Sequence, residues 1–267
     1  MVAWIHSDLF LRKDQYKKKS DAVAPQVFWW YGIGMQALLS HLTSLFRSHE
    51  SCICITGSGG KTTALIALAD FYAREGKKVL VSTTTKLQLP SERAYGCDRY
   101  FFSEEGILSH TPHEGEKVFY AQKGEHKALA PDIQVLEHLL GRYDVLLLEA
   151  DGARRCNLKL HTDRDPVVPR FATATLAIAS MSALGKPLAD ECFGWEIQDG
   201  QLVTFNTVQD LLAHPQGICK GMQGTSVVLL NQADSLVDSQ RQALHNLQCP
   251  HTLVLGSLTK NTLYPKD

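Results

Sequence analysis

Residues 53–63 read Ile53-Cys54-Ile55-Thr56-Gly57-Ser58-Gly59-Gly60-Lys61-Thr62-Thr63, an apolar strand followed by a glycine turn, a lysine and two hydroxyls. A helical pattern begins directly after them. Because glycine has no Cβ, Gly57, Gly59 and Gly60 allow backbone N–H groups to converge on a polyphosphate. The positive end of the following helix dipole points to the same place. The stretch therefore predicts a phosphate-binding loop between a strand and a helix.

Each residue of this loop has an expected role in nucleotide binding. We expect Lys61 to reach the terminal phosphates and Thr62 to bind Mg²⁺. The full set of expected phosphate contacts is Gly57, Ser58, Gly59, Gly60, Lys61, Thr62 and Thr63. The loop is shorter than G-x-x-x-x-G-K-[ST], since Ile55 stands where that pattern has its first glycine. It resembles the loop variants of Mur-type ligases and of the dimerising class of P-loop NTPases. The alternative is a glycine turn that only joins a strand to a helix.

Composition limits the class of protein. The chain has 267 residues, a net charge of −1, 21% charged residues and 44% hydrophobic residues, values typical of a soluble globular protein. Near-neutral charge gives no electrostatic argument for nucleic acid or an anionic membrane as partner. The seven cysteines include no C-x-x-C pair, which argues against a disulfide framework or a zinc site. No apolar run reaches the length of a transmembrane helix, so a cytoplasmic location is expected.

The order of apolar runs predicts the fold class. Short apolar runs alternate with helix-length segments, and they lie at 52–55, 79–81, 145–148, 176–179, 227–230 and 252–255. This alternation is typical of an α/β fold with a mostly parallel sheet and helices on both faces, here a P-loop NTPase-like one. Helices are predicted over 27–46, after the glycine loop up to Gly76, and over 131–140, with further strands at 100–102 and 118–120. We predict an N-terminal extension, partly helical or disordered, over 1–45 and one nucleotide-binding domain over 46–267.

The apolar run at 145–148 leads directly into Glu149-Ala150-Asp151. Alternation along an extended strand places both carboxylates on one face. Mg²⁺ prefers hard oxygen ligands, so Thr62, Glu149 and Asp151 are the expected metal ligands. One carboxylate could instead orient an attacking water, and Lys61, Glu149 and Asp151 are the expected catalytic residues. Which carboxylate has which role is left open, as is the alternative of two solvated acids at a strand end.

Asn231-Gln232-Ala233-Asp234 follows the strand at 227–230 and has the form of the guanine-recognition motif N-K-x-D, with Gln232 in place of lysine. Asp234 could accept hydrogen bonds from the ring N–H and the exocyclic amine of guanine. We expect Asn231 and Asp234 to contact the base. The alternative is a turn, because Asn and Asp are common turn and cap residues. The sequence thus leaves GTP and ATP both open.

Several blocks in a fixed order resemble the YqeC family of selenium-dependent hydroxylase accessory proteins. The blocks are the glycine loop, Thr83-Thr84-Thr85-Lys86, Leu148-Glu149-Ala150-Asp151-Gly152-Ala153, Leu158-Lys159 followed by Asp165-Pro166-Val167-Val168-Pro169, and the Asn231–Asp234 motif. The likeness covers about residues 50 to 260. It implies a role in maturing selenium-dependent molybdenum hydroxylases near the molybdenum cofactor, with such an enzyme or its cofactor-assembly proteins as partners. A homodimer is also expected, as in relatives of this loop class.

Three hypotheses follow. The first is a Mg²⁺-dependent nucleotide-binding protein, a slow GTPase or ATPase that acts as a maturation factor. The second, motivated by the Mur-like loop, is an ATP-dependent ligase or kinase acting on a small acid or a cofactor intermediate. The third is a nucleotide-gated binding module without useful turnover, since Asp151-Gly152-Ala153-Arg154 lacks the second glycine of D-x-x-G.

Overall fold

A computed structural model describes residues 37–48, 51–152, 156–195 and 200–266 of the chain. Its helices are α1 Leu38–Phe46, α2 Lys61–Arg74, α3 Glu104–Ser109, α4 Ile133–Leu139, α5 Leu188–Glu191, α6 Phe205–Ala213 and α7 Asp238–His245. Its strands are β1 Cys52–Gly57, β2 Val79–Thr83, β3 Lys86–Leu87, β4 Arg99–Phe101, β5 Lys117–Tyr120, β6 Gln122–Lys123, β7 Ala128–Leu129, β8 Val145–Glu149, β9 Leu158–Lys159, β10 Ala174–Ser180, β11 Cys192–Phe193, β12 Thr225–Asn231, β13 Thr252–Ser257 and β14 Thr262–Leu263. Among the described helices, none has both the length and the apolar character needed to cross a membrane.

Nine strands form the central sheet in the order β14-β13-β12-β10-β1-β8-β2-β5-β4. All neighbours in it are parallel except β14, which runs antiparallel to β13. The carboxyl ends of parallel strands meet at one edge, where open α/β sheets bind ligands. A small antiparallel sheet of β3, β7 and β6 and a parallel pair of β9 and β11 are separate from the nine strands. The predicted α/β class with a mostly parallel sheet is confirmed.

Helices cover both faces of the sheet, which explains why its central strands are apolar without alternation. On one face, Ile53 and Ile55 of β1 pack in a cluster with Leu65 and Leu68 of α2. On the opposite face, the neighbouring β1 side chains Cys52 and Cys54 pack in a cluster with Leu136 and Leu139 of α4. The side chains of α6 and α7 fill a third cluster with β10, β12 and β13. The two β1 cysteines are thus core residues.

The helix α1 lies, except for its last residue Phe46, within the segment 1–45 that we predicted to be an N-terminal extension. Its Leu38, Leu42 and Phe46 are fully buried and join the cluster of α2. Part of that segment therefore contributes to the core of the domain. The remainder of the helix predicted over 27–46, residues 27–36, lies outside the described residues.

Other helices and strands predicted from the sequence are present, but they begin or end at different residues than predicted. The helix α2 ends close to Gly76, whose φ of +79° suits a glycine stop. The helix α4 begins at Ile133, later than predicted, because Asp132 caps it by accepting a hydrogen bond from the N–H of Gln134 at 2.8 Å. The segment 87–125 does contain two strands of the main sheet, β4 and β5.

Candidate functional site

The glycine loop joins β1 to α2 and requires glycine for steric reasons. The φ angles of Gly57, Gly59 and Gly60 are +85°, +77° and +147°, which L side chains rarely adopt. A Cβ on Gly57 would lie 2.1 Å from the carbonyl oxygen of Ile178 in the adjacent strand β10. The N–H of Ser58 donates to that same oxygen at 2.7 Å. The loop is therefore held directly against the end of β10.

Lys61 is the first residue of α2 and is almost completely buried, with 6% of its surface exposed. Its Nζ donates to the carbonyl oxygen of Gly57 at 2.6 Å. The same Nζ lies 3.2 Å from Oδ1 of Asp151. The ammonium thus lies inside the loop, where its charge is offset by a carboxylate and a carbonyl.

Thr62 and Glu149 meet next to this lysine. The hydroxyl of Thr62 donates to Oε2 of Glu149 at 3.1 Å. The contact forms because β8, which ends at Glu149, is the direct neighbour of β1 in the sheet. Burial raises the pKa of Glu149, and the charge of Asp151 adds to this, while Lys61 and the Thr62 hydrogen bond act in the opposite direction. A hydroxyl and a carboxylate oxygen therefore converge at the beginning of α2.

Asp151 takes a different position, beneath the loop. It is fully buried, and its Oδ2 accepts a hydrogen bond from the N–H of Gly57 at 2.9 Å. Two further groups approach the same oxygen: Nζ of Lys159 at 3.2 Å and Nδ1 of His161 at 3.3 Å. Asp151 thus binds the backbone of the loop and Lys61, the lysine that follows the loop, while its expected role as a metal ligand stays a prediction.

Lys159, His161 and Asp165 complete this buried cluster. The ammonium of Lys159, only 1% exposed, donates to Oδ2 of Asp165 as well as to Asp151. Burial lowers the pKa of His161 to about 4, although Asp151 and Asp165 oppose this shift. Burial acts to raise the pKa of Asp165, but the Lys159 and Thr162 hydrogen bonds outweigh it and the pKa is lowered. The ammonium groups of Lys159 and Lys61 lie beside these two carboxylates, so two positive charges face two negative ones. Asp151 connects the cluster to the loop through the N–H of Gly57.

The residues of the expected base motif separate into a buried and an exposed part. Asn231, 2% exposed, donates from Nδ2 to the carbonyl oxygen of Gly59 at 2.9 Å. Its Oδ1 accepts from the N–H of Leu258 at 3.0 Å. Asn231 therefore ties β12 to the glycine loop and to the segment after β13. Gln232 adopts a left-handed conformation with φ of +60°, and Asp234 is exposed to solvent.

A cavity of about 620 Å³ opens over these groups. It is bordered by the loop, by Glu149 and, on one side, by Gln232 and Asn157. Cys156 also lines it. Its other side is formed by residues of and near the small antiparallel sheet: Lys86, Leu87, Gln88, Arg93, Tyr95 and Lys127. Loop, hydroxyl and carboxylate thus face one continuous space that is large enough for a nucleotide.

Two groups of site residues were not identified from the sequence. One is the cluster of Lys159, His161 and Asp165; the order Leu158-Lys159 then Asp165-Pro166 was visible, but its contact with Asp151 was not. The other is the set of cations Lys86, Arg93 and Lys127 at the cavity. Their position after β2 and β5, at the carboxyl edge of the sheet, is the signal that could have indicated them.

Comparison with known proteins gives one family and several distant structural likenesses. The family model described as YqeC protein matches residues 53–196, more than half of the chain. A protein from Escherichia coli (strain K12), described as uncharacterized protein YqeC, is 26% identical over 191 residues, which cover 66% of this chain and 73% of that protein. The resemblance inferred from the ordered motifs is therefore confirmed.

Among solved structures, the signal recognition particle receptor FtsY from Elizabethkingia anophelis in complex with GDP has 12% identity and a TM-score of 0.45, covering 86% of this chain and 68% of that one. HypB from Helicobacter pylori in complex with nickel has 14% identity and a TM-score of 0.35, covering 84% and 86%. At these values the fold assignment rests on the strand order and the loop described above.

Proposed function

The chain belongs to the YqeC family, and from this premise we propose that it is a Mg²⁺-dependent nucleotide-binding protein that hydrolyses GTP or ATP as a maturation factor for a selenium-dependent molybdenum hydroxylase. The single observation that carries the nucleotide part is the contact of Thr62 with Glu149 at 3.1 Å, at the mouth of a glycine loop. The part concerning selenium and molybdenum is carried by the family resemblance alone.

The loop supplies the phosphate contacts. Backbone N–H groups at the beginning of α2 and the helix dipole favour an anion at this place. Lys61 is already within the loop and needs only to exchange the carbonyl oxygen of Gly57 for a phosphate oxygen. Asp151 then has a positioning role, because it holds the N–H of Gly57 and neighbours the Lys61 ammonium on the side away from the cavity.

The donor set fits Mg²⁺. Thr62 offers a hydroxyl and Glu149 a carboxylate, both hard oxygen donors, and the nucleotide phosphates would supply further oxygens. When bound, the cation would neutralise charge on the terminal phosphates. Glu149 is the carboxylate that lines the cavity, so we assign to it, rather than to Asp151, the contact with the metal or its water.

The base would lie toward β12. Gln232 lines that side of the cavity, and Asn231 fixes the loop against it through its two hydrogen bonds. Asp234, in the turn that follows, is the proposed reader of guanine. Selective binding of GTP would support this role. A preference for ATP would show that the segment Asn231–Asp234 is only a turn and would favour the ligase or kinase hypothesis.

The deciding experiment is calorimetric titration of the purified protein with GTP and with ATP, each with and without Mg²⁺. We expect Lys61→Met to weaken binding at least tenfold. Thr62→Ala and Glu149→Gln should remove the dependence on Mg²⁺. Arg74→Met removes one exposed cation at the far end of the same helix and serves as the matched control. Unchanged affinity and hydrolysis in the Lys61 variant would refute the proposal.

The accessory role needs its own test in cells. In a strain that lacks this protein, a selenium-dependent molybdenum hydroxylase should lose activity while its polypeptide accumulates normally. Wild-type protein should restore the activity, and the Lys61→Met variant should not. Full activity in the absence of the protein would exclude the maturation role and leave nucleotide binding untouched.

A further inference from the structure

We propose that Lys86, Arg93 and Lys127 bind the anionic group of a second substrate, a small organic molecule that carries a carboxylate or a phosphate, beside the terminal phosphate of the nucleotide. The inference rests on the proposed nucleotide binding and extends it. It assigns a function to the side of the cavity that the nucleotide roles above do not use.

The strand order separates this side from the base. Side by side in the sheet, these strands have the order β12-β10-β1-β8-β2-β5, and the glycine loop follows β1. Asn231 ends β12, two strands away in one direction. Lys86 belongs to β3, which follows β2, two strands away in the other direction, and Lys127 directly precedes β7. Glu149 ends β8, between the loop and these cations. A nucleotide with its base at β12 would therefore present its terminal phosphate toward them.

The positive charge at this end is only partly balanced by the described residues, since Arg93 acts electrostatically on Glu149 but no salt bridge forms. Lys86, Arg93 and Lys127 are exposed, and none of them forms a salt bridge with another residue in the described part of the chain. With Lys61 they make four cationic side chains around the cavity, while Glu149 is the single carboxylate among the described lining residues. Positive charges around a cleft attract an anionic ligand and raise its local concentration.

The wall between the cations is rigid and partly apolar. The ring of Tyr95 stacks on Phe119 with centroids 4.8 Å apart, and its hydroxyl donates to the carbonyl oxygen of Gln88 at 3.0 Å. Leu87 lines the cavity beside it. Apolar surface next to charged groups suits an organic acid or an organic phosphate better than a free inorganic ion.

The arrangement permits transfer of the terminal phosphoryl group. An oxygen of the bound carboxylate or phosphate forms a bond to the terminal phosphorus. The bond from this phosphorus to the bridging oxygen breaks, and the nucleoside diphosphate leaves with the electron pair. No proton has to move, because the accepting oxygen is already ionised near neutral pH. The product is an acyl phosphate or a new phosphoanhydride, the type of intermediate that a ligase or kinase forms.

The test measures binding of citrate and of inorganic phosphate by calorimetry at low ionic strength, with the protein free and saturated with the Mg²⁺ diphosphate nucleotide. The variant Lys86→Met/Lys127→Met removes two cations from the cavity but keeps their apolar stems. The control Arg74→Met/Lys266→Met removes the same charge from exposed positions that do not line the cavity. We expect citrate to bind at least tenfold more weakly to the cavity variant, with nucleotide affinity changed less than threefold and the control unchanged.

Each other result has a defined meaning. If nucleotide affinity falls in parallel with citrate affinity, the cations hold the nucleotide phosphates and the second site is refuted. If neither probe binds the wild type, or if citrate binds both double variants equally, the site is also refuted. Tighter binding of inorganic phosphate than of citrate would contradict an organic ligand. Binding of citrate that depends on Lys86 and Lys127 in a protein that binds no nucleotide would overturn the proposed function and keep the anion site.

Discussion

Replacing Gly57 with alanine, compared with the same change at Gly76, isolates the cost of the close approach between the loop and β10. Both glycines have positive φ, +85° and +79°. A Cβ on Gly76 would have no atom within 4 Å, whereas a Cβ on Gly57 would lie 2.1 Å from the carbonyl oxygen of Ile178. The two substitutions therefore share the backbone strain and differ in the collision.

The magnitude follows from these two contributions. A left-handed conformation costs an L residue about 1–2 kcal/mol, so we expect Gly76→Ala to lower the free energy of unfolding by about that amount. Overpacking in a rigid surrounding adds about 1–3 kcal/mol. Ile178 cannot move away freely, because it is paired with Gly57 in the parallel ladder of β1 and β10. Gly57→Ala should therefore cost about 2–5 kcal/mol.

Urea unfolding followed by circular dichroism measures both variants, and equal slopes with denaturant show that only stability has changed. Nucleotide titration of the folded protein adds a second readout, since Gly57→Ala should also weaken phosphate binding and Gly76→Ala should not. Equal losses of stability in the two variants would refute the reasoning, because the collision with Ile178 would then not lower the free energy of unfolding.

Three further predictions concern the groups around the loop. Lys159→Met leaves the half-buried Asp165 without its ammonium and the buried Asp151 with Lys61 alone, and should destabilise the protein by about 3–5 kcal/mol; thermal unfolding checks this, and the added change Asp165→Asn should recover part of the loss. The pKa of His161 is lowered to about 4 by burial, so its contribution to stability is complete above the unfolded value of about 6.5 and is lost as the pH falls toward 4. Urea unfolding should then show about 2 kcal/mol less stability at pH 5 than at pH 7.5 from this residue, and His161→Phe should remove that part of the difference; an identical pH dependence in the variant would contradict the assignment. Asn231→Ala removes two buried hydrogen bonds and should cost about 1–3 kcal/mol and weaken nucleotide binding, whereas the exposed Asp234→Ala should leave stability unchanged and alter only the choice of base; a loss of stability in the second variant would show that Asp234 has a structural role.

The sequence alone was sufficient for the fold class and for the position of the loop. Strands buried on both faces must be continuous apolar runs, and a glycine turn between such a run and an amphipathic helix has few structural interpretations. Local chemistry also indicated the acids at the end of β8. These features depend on short-range pattern, which a single chain displays directly.

The tertiary structure decided which of the indicated groups meet. Glu149 and Asp151 are two residues apart, yet Glu149 faces the hydroxyl of Thr62 while Asp151 binds the N–H of Gly57. Packing likewise places the helix that ends at Phe46 in the core. It also brings Lys86, Arg93 and Lys127, which are distant from the glycine loop in the sequence, to the cavity. Such contacts depend on strand order and on side-chain direction, and these are set by packing between segments that are distant in the chain.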